Sequence, residues 1–163
     1  MGNDLHGVRG SWALGCNGQL IFWNTDVLTT TIVTFLSTAF NTTIPKKHFI
    51  SLRSYGDDLA NWLMNELAQR DAVFDPTIGH EDFGWYVRFR FAGSIYQFAV
   101  AYRNPDWIGK LERKRTILEW IFHVPNKGVE DEALALIHHV LASSGLVSDI
   151  WWHYPEDFDA PVM

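Results

Sequence analysis

The chain predicts an α+β fold: an antiparallel sheet with two helices on one face, in the ferredoxin-like (split βαβ) order, with an N-terminal extension and an insert. Three observations predict it. Residues 83–102 alternate apolar and polar about a central Ala92-Gly93, the pattern of a half-buried hairpin. Two helical stripes flank the hairpin, one through Leu59, Leu63 and Leu67 and one through Ala133, Leu134, Ile137, Val140 and Leu141. Val147 to His153, stopped by Pro155, closes the chain as a strand.

Taken in order, residues 1–45 form the extension. Arg9 is their only Lys or Arg, and Asp4 and Asp26 are their only acids. Gly7, Gly10, Gly15 and Gly18 mark a loose start, and Gln19 to Trp23 predicts a short strand. From Leu28 to Phe40 the apolar residues recur at helical spacing, with Asp26 as a cap, while the β-branched content favours strand, so the sequence leaves both open. His48 to Arg53 reads as a strand, left through Ser54-Tyr55-Gly56. Asp57 and Asp58 then put negative charge at a helix start, where free backbone amides favour it, and the helix should run to about Arg70.

In the hairpin, Phe83, Trp85, Val87, Phe89 and Phe91 point one way and Tyr86, Arg88 and Arg90 the other. A two-residue loop at Ala92-Gly93 sets Phe91 against Ser94, Phe89 against Tyr96, Val87 against Phe98, Trp85 against Val100 and Phe83 against Tyr102. Asn104-Pro105-Asp106 ends the hairpin. The insert follows: a third strand over Trp107 to Arg113 and a short helix from Lys114 to His123, with a strand over Thr116 to Phe122 as the competing reading. Glu130, Asp131 and Glu132 open the second long helix, and Gly145 ends it. The expected organisation is a single domain over 1–163, with 46–154 as its core and 155–163 as an acidic tail.

Composition narrows the function classes. At 163 residues with 47% hydrophobic and 20% charged side chains, the chain is long enough to bury roughly 70% of its unfolded surface without a staple. Threonines and asparagines break the weakly charged stretch from Val27 to Ile44, so no membrane helix is expected. The amino terminus has no basic start followed by an apolar run, which makes the cytoplasm the expected location and leaves the sequon Asn41-Thr42-Thr43 without consequence. Cys16 is the only cysteine, which excludes an internal disulfide and a multi-thiolate metal site. A net charge of −6 disfavours nucleic acid and anionic lipid as partners. The charge is unevenly spread, because no Lys or Arg follows Lys127 while seven acids do.

No candidate constellation survives as chemistry. Cys16 lies in a glycine-flanked turn with nothing to lower its pKa. His138 and His139 are adjacent on a helix and diverge by about 100°, so they do not share a metal ion. His80-Glu81-Asp82 reads as a polar turn before a strand. The glycines lack any phosphate-loop spacing. Tyr86, Arg88 and Arg90 fall short of the aromatic platform that RNA-binding sheets present. Catalytic, cofactor-binding and metal-binding residues are therefore assigned to none, and no cofactor is expected.

What remains is aromatic. Eight tryptophans are more than a two-layer domain can bury, and in the last strand Trp151 and Trp152 must point to opposite faces. Indoles beside Asp149, Tyr154, Glu156 and Asp157 have the composition of an interface hot spot. These six residues predict a noncatalytic protein-interaction module, an inhibitor or neutralising partner of a basic protein, and they are compatible with homo-oligomer formation. The alternative is a small apolar or aromatic ligand held between the hairpin and the N-terminal segment. An enzyme with an unrecognised convergent site is the third class.

Overall fold

The computed structural model describes residues 11–14, 20–23, 31–47, 54–70, 73–125 and 127–158. The strand expected over 48–53 and the site of Cys16 lie outside these residues. Strands β1 (Ser11–Leu14) and β2 (Leu20–Trp23) pair antiparallel as a two-stranded sheet. The main sheet has six antiparallel strands: β3 (Ile32–Leu36), β4 (Val73–Glu81), β5 (Gly84–Phe91), β6 (Ser94–Arg103), β7 (Asp106–Lys114) and β8 (Ser148–His153). Their spatial order is β4-β5-β6-β7-β3-β8. Helix α1 (Asp57–Ala68) connects β3 to β4, and α2 (Ile117–Ile121) and α3 (Asp131–Ser143) connect β7 to β8. A last turn, α4 (Pro155–Phe158), follows β8.

The α+β class and the antiparallel sheet match expectation, and the arrangement of the strands differs from it. A split βαβ order has one hairpin between its helices, whereas here β4 to β7 form a four-strand meander. The sequence conceals β4 because Asp75, Pro76 and Gly79 interrupt any alternation. A proline is tolerated at this sheet edge, where the pairing with β5 shifts register between Phe74 and Thr77. The segment left open between helix and strand enters the sheet as β3, hydrogen-bonded on both sides by β7 and β8. Strand suits Ile32, Val33 and Thr34, whose branched Cβ atoms restrict χ1 in a helix.

The hairpin register is the predicted one from Phe91↔Ser94 to Trp85↔Val100. It ends one pair early: β5 begins at Gly84, and Phe83 stands 52% exposed in the turn rather than opposite Tyr102. Gly84 explains this, since its φ of 136° and the 2.4 Å that would separate an added Cβ from the Val100 carbonyl suit only glycine. In the β5-β6 turn both central residues, Ala92 and Gly93, have positive φ, as a two-residue hairpin loop matching strand twist requires.

One core forms where the helices meet the sheet. Leu59, Ala60, Leu63 and Leu67 of α1 and Ala133, Ile137, Val140 and Leu141 of α3 join Val33, Phe35, Val87, Phe89, Tyr96, Phe98, Val100, Trp107 and Leu111 in a single buried cluster. Trp85 Nε1 donates to the Ser54 carbonyl at 2.8 Å, which ties the start of α1 to the sheet. The opposite face, open at Arg88, Arg90 and Lys110 but closed over Ile32 and Gln97, also carries Tyr86 from β5, Glu112 and Lys114 from β7, and Thr34 from β3.

Candidate protein-docking surface

The edge strand β8 places the residues singled out above. Among the described residues its one sheet neighbour is β3, and strand alternation sends its two indoles apart. Trp152 lies opposite Val33 on the helix-covered face, is half-buried, and donates through Nε1 to His138 Nδ1 at 3.2 Å. Trp151 lies opposite Thr34 on the open face and is 68% exposed. Next to it, Thr34 Oγ1 and His153 Nε2 lie 2.8 Å apart, so the open side of this edge is partly fixed by side-chain bonding.

The acids expected beside these indoles are spread along the chain's end. Asp149 is exposed and has a φ of 50°, where the β3-β8 pairing shifts register. Glu156 is exposed in α4, the same short turn that contains Asp157, and Tyr154 between strand and turn is half-buried. The structure thus leaves Trp151, Asp149 and Glu156 each accessible near the chain's end and withdraws Trp152 toward α3.

The weaker catalytic candidates also find places. His80 belongs to β4 rather than to a turn, and its ring stacks on Trp85 with centroids 4.1 Å apart. Glu81 and Asp82 beside it are exposed. His138 and His139 are both exposed on α3, where His138 serves as the acceptor for Trp152. Among the described residues no group of three or more His, Cys, Asp or Glu is arranged to hold a metal ion, and no helix is long and apolar enough to cross a membrane.

A second accessible surface was not anticipated. The insert keeps its expected strand as β7, the contested segment over Thr116 to Phe122 resolves as helix rather than strand, and α2 buries none of its residues. Ile117, Leu118, Trp120, Ile121 and Phe122 are exposed by between 51% and 77%. Four large apolar side chains on so short a helix, with Phe122 at its C-cap, would normally be covered. Local bonding nevertheless holds the helix firmly. Glu119 Nα–H donates to Thr116 Oγ1 at 3.2 Å, and Thr116 Nα–H donates to Glu119 Oε2 at 2.8 Å, a reciprocal capping box. Arg113, at the end of β7, donates to Glu119 Oε1 at 2.5 Å. That bond, with the Thr116 amide, holds the Glu119 carboxyl down to about 2.

The sequence does carry a signal for α2: Thr116-Ile117-Leu118-Glu119 is the [ST]-x-x-E capping pattern followed by an apolar run. Charge around the helix is divided. On the open face Arg90 and Lys114 share a row through Ile95, and exposed Arg115 follows them. Lys114 also donates to Glu112, and this bond is foremost in lowering the Glu112 pKa. On the helix-covered face of the same sheet end, burial first and the Glu130 carboxylate second push the Tyr96 phenol up. Glu130 adjoins exposed Asp131 and Glu132 at the start of α3.

Comparison of the chain with protein-family models, with curated proteins and with solved structures finds no match. Its functional reading therefore rests on the surfaces described above.

Proposed function

We propose that the chain is a noncatalytic protein-interaction module that docks a basic protein along its β8 edge, as an inhibitor or neutralising partner would. The observation that carries this reading is Trp151, 68% exposed on the strand that ends the sheet among the described residues. An indole offers a large rigid contact area at small entropic cost, and tryptophan is the residue most enriched among interface anchors. Asp149 and Glu156, both exposed, supply the field that would draw a cationic partner in, and Asp157 adds to it.

Anchor and field should separate in kinetics. Capture from a lysate of the source cell, followed by binding kinetics on the retained protein, should yield a basic partner. Trp151→Ala should weaken its binding by about 2 kcal/mol or more, mainly through faster dissociation. Asp149→Asn combined with Glu156→Gln and Asp157→Asn should slow association and flatten its salt dependence. Trp151→Ala should leave thermal stability unchanged, whereas Trp152→Ala, which removes half-buried packing and the bond to His138, should lower it. A partner held equally by the wild-type chain and by Trp151→Ala would refute the reading.

A further inference from the structure

From the α2 surface we infer that two copies of this chain form a two-fold dimer, with Ile117, Leu118, Trp120, Ile121 and Phe122 of each copy packed against those of the other. The area is the first support. Full side-chain surfaces of ~150–250 Å² for such residues, at the exposures found, leave about 600 Å² of apolar surface per copy. With a polar rim this approaches the ~800 Å² that each partner gives to a standard interface.

The character of the patch points to a copy of itself. It contains no unpaired charge: Glu119, the one ionisable residue of α2, is bonded to Arg113 and Thr116. Interfaces between identical chains are more apolar than those between partners that also live apart. In an isologous contact the same patch serves both sides, so an uncharged one meets no repulsion at its centre.

The rim supplies the orientation. Cations Arg90 and Lys114 lie on the open face of the sheet end from which α2 leaves, and Tyr96, whose phenol is affected by the Glu130 carboxylate, puts the acidic start of α3, Glu130, Asp131 and Glu132, on the helix-covered side of that end. A two-fold axis lying in the contact plane and running across the strands exchanges these two sides. The cationic border of each copy then faces the anionic border of the other, twice in each dimer. The α2 surface and the β8 edge share no residue, so failure of one proposal leaves the other standing.

Sedimentation equilibrium on the full chain, over a dilution series from about 0.1 to 100 µM, tests this. The expected species has twice the 18.7 kDa of one chain. Trp120→Asp and Phe122→Asp should each raise the dissociation constant by about a hundredfold or more, since each change occurs twice in the contact. Circular dichroism should show both variants folded, as neither side chain is buried. Arg90→Glu should weaken the dimer about tenfold, and adding Glu132→Lys should restore it to within about threefold, because the swapped charges meet across the axis. A wild-type chain that stays monomeric across the series, or a dimer indifferent to both aspartate variants, would overturn the inference. A charge swap that rescues nothing would overturn the two-fold arrangement.

Discussion

Gly109 in β7 offers the sharpest test of the packing, because local and tertiary effects there have opposite signs. Its φ lies outside the left-handed region, so alanine can adopt the backbone conformation, and removing glycine from a strand should by itself stabilise by roughly 0.5–1 kcal/mol. An added Cβ, however, would stand 2.3 Å from Cζ of Phe98 and 2.9 Å from Cγ1 of Val33. Carbon atoms in contact sit ~3.5–4.0 Å apart, so the ring must move by more than an ångström, and both Phe98 and Val33 are fully buried. Overpacking of this kind costs about 1–3 kcal/mol, and a clash this close belongs at the upper end. The net expectation for Gly109→Ala is a loss of about 2 kcal/mol, or ~4–8 °C in Tm for a chain of this size. Calorimetry and urea unfolding should agree on it. In a Phe98→Leu background, which frees the space, Gly109→Ala should be neutral or stabilising, giving a coupling of about 2 kcal/mol between the positions. A higher Tm for Gly109→Ala, or an equal loss in both backgrounds, would show that Phe98 does not lie over β7 in this way.

Two further outcomes follow from single contacts. Trp85→Ala removes an indole that bonds to the Ser54 carbonyl and stacks on His80 and should cost about 3–5 kcal/mol. Arg88→Ala on the open face, where the guanidinium reaches only Gln97 and the Tyr86 ring, should cost under about 1 kcal/mol; equal losses in denaturant melts would contradict the assignment of faces. Glu119, held down to about 2, contributes to the order of α2 above the ordinary carboxylate range, and that contribution is lost as pH falls through about 2. Carboxyl carbon NMR should report a midpoint near that value in the wild type and a rise toward 4.5 in Arg113→Met; a native midpoint already near 4.5 would refute the Arg113 bond.

The parts of this structure that were legible in the sequence are those decided over short distances along the chain. The β5-β6 register could be read from Phe91 back to Trp85, because a two-residue turn leaves one pairing that puts every aromatic on the same face. The helices at 57–68 and 131–143 were legible from their acidic first turns and periodic leucines, isoleucines and valines. Strand β4 was not, since Asp75, Pro76 and Gly79 obscure its alternation and its pairing depends on β5. At the candidate site, the divergence of Trp151 and Trp152 followed from strand geometry, but which indole stays in water did not.

By itself the sequence determined the α+β class, the hairpin with its aromatic face, both long helices and the two-sided character of β8, all of which follow from turn chemistry and side-chain period. Only the tertiary structure decided that residues 32–36 lie between β7 and β8, that Trp152 bonds to His138 while Trp151 faces solvent, and that α2 stands uncovered. The physical reason is common to all three. Periodicity says that a side chain needs a partner, whereas the identity of that partner, or its absence, is fixed by elements far away in the chain that compete to cover the same face.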